Sequence, residues 1–271
     1  MKAETLKTIA IITGILLLSS ALSDLIFSGI YPLNHYLWRG LGMLLIAIPT
    51  IGYLRHSWLQ KGRLTGALWL IFFIIGTFNI LIEAYLFNII TRVETFQGML
   101  QGFLSVTPGI LAIGFLYTGR LAQAQKALRK QHSVIGYIWR ILTGNVLYFI
   151  FYASAGMILQ ASYPELMEFY EDKIPPIILI IQTNLFFRGF VFVSIAILIA
   201  QTTELNKWRT GVLIGLFFSI LGGIAPLLSP NELMPIHIRL AHGFEVGISN
   251  FLYGLILGVM FTPRKLSQAT D

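Results

Sequence analysis

Apolar residues fall in eight long runs, at about 8–28, 36–54, 64–87, 98–118, 141–160, 176–201, 209–228 and 243–262, with short polar breaks between them. A helix rises about 1.5 Å per residue, so a run of about twenty residues crosses a hydrocarbon core about 30 Å thick. Within such a core every backbone N–H and C=O needs an internal partner, and a helix supplies one. The pattern predicts an all-α polytopic membrane protein of about eight transmembrane helices. The first run follows Lys2 and Lys7 and reaches Ala21-Leu22-Ser23, which also gives it the outline of a secretory signal. With or without that run, the rest of the chain keeps its orientation.

Composition agrees with the pattern. Only 11% of the 271 residues are charged and 56% are hydrophobic, a balance unsuited to a water-facing surface. With Met1 inside, the nineteen Lys and Arg gather in the cytoplasmic breaks, and only Arg39, Arg92, Lys173, Arg188 and Arg239 fall elsewhere. The expectation is an integral protein of the plasma (inner) membrane with both termini cytoplasmic. The net charge of +7 then reflects topology rather than nucleic-acid binding. Cysteine is absent, which excludes disulfides, thiolate nucleophiles and Cys-ligated metals. No catalytic triad, nucleotide loop or dinucleotide fingerprint occurs either, so no catalytic residue, metal or cofactor is expected and an enzyme is the less favoured class.

No break is long enough for a soluble domain. The longest, from about 119 to 140, contains the basic helix-forming stretch Arg120 to Ser133, which suits either an anionic headgroup surface or a plain cytoplasmic connector. It divides the chain into a first four-helix half (1–120), a basic linker (121–140) and a second four-helix half (141–271). The halves match at an offset of 145 residues: Thr65-Gly66 falls on Thr210-Gly211, Phe72-Phe73 on Phe217-Phe218, and Gly98, Gly102 and Gly109 on Gly243, Gly247 and Gly254. With a four-residue gap, Trp38-Arg39-Gly40 falls on Phe187-Arg188-Gly189. An even number of spans per half makes the repeats parallel, related by an axis near the membrane normal. Each glycine set lies on one helical face, where a missing side chain admits another helix of this chain or a protein partner.

Charges inside spans are costly and ask for partners. Counted up from the cytoplasmic ends, Arg188 lies at about 21 Å, Arg39 at about 24 Å, Asp24 and Glu245 at about 26 Å and Glu83 at about 28 Å, with Asn184 and Gln101 nearby. This layer reads in two ways. It is either a set of side chains reaching the outer interface, or the wall of an outward-facing polar cavity in which Arg188 pairs with Glu245 or Asp24 and Arg39 with Glu83 or Asp24. The eighth span adds His242, Glu245 and Ser249 at helical spacing, with Asn250 adjacent. The His and Glu could bind a metal or relay a proton, but a metal site would be short of ligands and an interfacial histidine suits the position better.

Asn184-Leu185-Phe186-Phe187-Arg188-Gly189 resembles the end of the first motif of the CAAX-protease and bacteriocin-processing family of intramembrane metalloproteases, which is also similar in span number. In that family two glutamates precede the arginine, at positions held here by Thr183 and Asn184, and histidines follow on later spans. Gly222 stands where one of those histidines would be sought. The resemblance, over about a third of the chain, implies at most a noncatalytic relative. The leading expectation is a transporter or binder of a small or lipid-like substrate among membrane lipids. The alternative is an accessory or structural subunit of a membrane complex.

Overall fold

The computed structural model describes residues 2–117, 129–163, 165, 168, 170–230 and 234–265. Among them are eight helices long and apolar enough to cross a bilayer, and the chain is an all-α polytopic membrane protein. They are α1 (Lys2–Phe27), α2 (Leu33–His56), α3 (Lys61–Leu86), α4 (Arg92–Tyr117), α5 (Val134–Ser162), α6 (Ile177–Thr202), α7 (Lys207–Leu228) and α8 (Ile236–Phe261). Four of them, α1, α4, α5 and α8, begin more than a turn before the apolar runs, because backbone pairing continues into the interface where hydropathy has already fallen. The expected linker is shorter than its sequence outline. Ser133 Oγ accepts from Gly136 N at 3.1 Å and caps α5, so residues 134–140 are already helical. Most of the basic stretch Arg120 to Ser133 lies outside the described residues. Arg129–Lys130 pairs antiparallel with Arg264–Lys265.

The end of the bundle holding the start of α1 and the end of α8 is its base, and the opposite end its crown. α1 packs on α2 and α4, and α4 on α3; in the second half α5 packs on α6 and α8, and α8 on α7. The packing order is therefore the same in both halves.

Contacts between the halves are reciprocal. At the base Ser57 and Thr203 form an antiparallel bridge. On one side Trp58 N donates to Thr202 O at 3.0 Å, and on the other Glu204 N donates to His56 O at 2.8 Å. Halfway up, Gly76 lies against Leu221 and Gly222 against Ile75. Every one of these partners is related by 146 residues, as Ser57 is to Thr203 and Gly76 to Gly222.

π-helical turns interrupt α3 at Ile74–Phe78, α6 at Asn184–Arg188 and α7 at Ile220–Ile224. Such turns insert a residue, rotate the next stretch of helix about its axis and concentrate at functional sites.

All six glycines singled out in α4 and α8 face other helices of this chain. Gly98 lies against Leu81, Gly102 against Thr77 and Gly109 against Ser19; Gly243 lies against Leu227, Gly247 against Ile224 and Gly254 against Gly215. At Gly109 the missing side chain has a direct use. Ser19 Oγ enters the α4 backbone ladder, donating to Ser105 O at 2.6 Å and accepting from Gly109 N at 3.0 Å. A Cβ on residue 109 would come within 3.2 Å of Ser19 Cβ.

Candidate functional site

The polar layer separates into two clusters near the crown. In the first half Arg39 pairs with Asp24, one of its two expected partners, and its Nη1 also donates to Ser20 Oγ at 2.9 Å. Asp24 is only 2% exposed, and Gln101 Nε2 reaches its other oxygen at 3.4 Å. His35 is buried nearby on α2 and stacks on Tyr31 with ring centroids 4.2 Å apart.

The second cluster joins the halves. Arg188 holds Glu83 through two parallel bonds, Nη1 to Oε1 and Nη2 to Oε2, each 2.8 Å. Its Nε donates to Asn79 Oδ1 at 3.0 Å, and Nη1 reaches Asn184 Oδ1 at 3.4 Å. The rings of Tyr148 and Tyr152 lie 5.6 and 5.4 Å from the guanidinium carbon. A buried arginine is tolerable when its fork is filled in this way, since a bidentate carboxylate satisfies charge and donors together. Both sides of the pair are set by π turns: one contains Asn184 and Arg188, and the other ends just before Asn79 and Glu83.

The expected pairing of Arg188 with Glu245 or Asp24 is therefore corrected to Glu83. Glu245 meets its own neighbour instead, with His242 Nδ1 3.1 Å from Oε2. Asn250 faces α7, where its Nδ2 lies 3.4 Å from Phe218 O. The space bounded by Glu83, Phe87, Tyr152, Pro175 and Arg188 is about 10 Å³. That is room for about one water molecule, so among the described residues the space recorded beside Arg188 is not substrate-sized.

A larger space lies elsewhere. Between the crown halves of α7 and α8 a groove of about 450 Å³ runs along apolar walls that include Leu227, Leu228, Phe244, Ile248 and Phe251. This volume falls in the range of small-molecule sites. Arg239, in the first turn of α8, lines it and is 5% exposed. Among the described residues no carboxylate lies within ion-pair distance of Arg239, and its buried Nε has no hydrogen-bond partner.

Sequence reasoning missed Asn79, the two tyrosines and Arg239 as site residues. Asn79 was findable, being one helical turn before Glu83 on the same face. Arg239 stood out only as a basic residue away from the cytoplasmic breaks.

Among the described residues no group of three His, Cys, Asp or Glu is placed to hold a metal ion. The positions matched to the protease motif hold Thr183, Asn184 and Gly222, and a Cβ on residue 222 would lie 3.5 Å from Asn250 Nδ2. No family model, curated protein or solved structure matches the chain.

Proposed function

We propose that this protein binds a lipid-like substrate, taken sideways from the bilayer into the groove between α7 and α8. The carrying observation is that groove: about 450 Å³, apolar along its length and flanked by outward-facing Phe244 and Ile248. The chemistry fits an acyl chain, which gains by apolar contact and asks for no polar lining. In this reading the layer around Arg188 fastens the halves together and is not the substrate site. The halves, 1–120 and 141–271, are parallel repeats about an axis through the Ser57–Thr203 bridge, and transport would be a rocking of one against the other. The crown faces outward from the plasma membrane, with both termini in the cytoplasm, as the positive-inside bias supports.

The direct test is native mass spectrometry of the purified full chain. A retained lipid is expected, and Ile248→Trp, which fills the groove, should remove it. Absence of bound lipid, or equal retention in the variant, would overturn the reading. Because the chain has no cysteine, orientation can be checked by single substitutions. In intact cells an impermeant thiol reagent should label Ser229→Cys and spare Ser133→Cys; the reverse pattern inverts the topology.

An accessory subunit is the second reading, favoured by the paired charges and the water-sized space at Arg188. It predicts normal assembly of a complex by the groove-filled variant.

A further inference from the structure

We infer that the groove selects an anionic phospholipid, with its phosphate at Arg239 and an acyl chain along α8 toward Phe251. The inference rests on the lipid-binding reading above and adds the charge of the occupant.

Three observations converge. First, Arg239 is 5% exposed, lines the groove, and its buried Nε has no partner among the described residues. A buried cation without a counter-charge is unfavourable unless a ligand brings one. Glu165, an acid recorded at this end, lies 3.9 Å from His237 instead.

Second, α8 begins without a side-chain cap at Pro235 and without an acid in its first turn. Its early N–H groups and positive dipole end therefore add to the charge of Arg239, a combination that holds phosphate. The start of α4 is the opposite case: Thr91 N donates to Glu94 Oε2 at 2.7 Å, and Glu94 N reaches Thr91 Oγ1 at 3.3 Å. There the chain supplies its own anion.

Third, the register matches a lipid. Arg239 sits in the first turn of α8, at headgroup height for a spanning helix, and the apolar walls continue below it to Phe251 and Leu252. From residue 239 to residue 252 the helix rises about 20 Å, the length of an extended acyl chain inside one leaflet.

The test exposes the purified full chain to an equimolar mixture of phosphatidylglycerol and phosphatidylcholine with identical acyl chains, and reads bound lipid by native mass spectrometry. Wild type should prefer phosphatidylglycerol by about tenfold, because phosphatidylcholine offers the same phosphate but brings its quaternary ammonium beside Arg239 and the positive end of α8. Arg239→Gln should bring the ratio close to one while keeping phosphatidylcholine binding, and Arg239→Lys should retain part of the preference. Millimolar inorganic phosphate should not displace the lipid, because the acyl chain contributes most of the contact; displacement would point to a free-anion site and overturn the inference. Equal binding of both lipids by wild type, or undiminished preference in Arg239→Gln, would overturn the inference and leave the lipid-binding reading standing. If neither lipid binds, the proposed function falls and this inference with it. Misfolding is distinguishable, since removal of an unpaired buried charge should leave the melting temperature of Arg239→Gln at or above that of wild type.

Discussion

Helices α3 and α4 meet through side chains, whereas α7 and α8 meet through backbone. In the first half Gly114 faces Thr65, Gly102 faces Thr77 and Gly98 faces Leu81, and Trp69 Nε1 donates across the same contact to Thr107 Oγ1 at 3.0 Å. In the second half Gly258 faces Gly211, and a Cβ on Gly254 would stand 2.7 Å from the Cα of Gly215. Toward the crown the order of tightness reverses. A Cβ on Gly98 would lie 2.9 Å from Leu81, but one on Gly243 would lie 3.5 Å from Leu227. One half is evenly spaced and filled, while the other closes hard at the base and leaves room at the crown. Where small residues sit along a helix pair, more than how many there are, decides whether the pair encloses a groove.

The strongest challenge to this comparison is the pair that holds the two halves together. Arg188→Leu leaves Glu83 and Asn79 without their partner, and should cost about 3–5 kcal/mol. A lowered melting temperature in detergent would show it. Arg188→Lys should recover only part, because an ammonium cannot hold both carboxylate oxygens. The double variant Arg188→Leu with Glu83→Leu should be more stable than Arg188→Leu alone; no recovery would mean that the pair is not coupled.

A smaller effect tests the closed base. Gly258→Ala places a methyl group against the backbone of Gly211, which cannot rotate away, at a cost of about 1–3 kcal/mol. Gly114→Ala meets the side chain of Thr65, which can turn aside, and should cost less. Equal losses would erase the distinction between backbone and side-chain contact. The smallest effect belongs to the crown. Gly243→Ala meets only ordinary contacts and should gain about 0.5–1 kcal/mol from helix preference, while Gly98→Ala must push Leu81 and should gain nothing. If both gain equally, the two crowns are packed alike.

The number and order of spans were legible because a bilayer leaves a long apolar run little alternative. Helix ends were less so: Arg92 to Phe96 continue a backbone ladder through a mainly polar stretch, and Val134 to Arg140, although largely apolar, follow directly on the basic stretch and read as part of it. Arg39 and Asp24 could be matched because they lie at nearly one level on adjacent spans. Arg188 and Glu83 could not, for two physical reasons. Depth fixes height but not direction, which the π turn at Asn184–Arg188 changes, and the arginine side chain is long enough to reach about one turn above its own backbone. The reciprocal contacts and the sequence identities differ by one residue in α3 and α7. Identities such as Thr65 on Thr210 give an offset of 145, whereas the reciprocal contacts of Gly76 and Gly222 give 146, because apolar sequences match themselves easily at neighbouring registers. Arg239 was legible as a charge but not as an unpaired one, since absence of a partner is a property of the packed chain.

The Arg188–Glu83 pair also sets a timing problem for biogenesis. Its members are 105 residues apart, and translation at about 5–20 residues per second makes the carboxylate wait about 5–20 s for its arginine. During that interval a lone acid at membrane depth is unfavourable. Glu83, one turn from the end of α3 and 29% exposed even when paired, can stay in headgroup water until α6 arrives and its arginine takes hold. The first half inserted by itself should accordingly hold its third helix loosely, and the step that seats it belongs to the synthesis of the second.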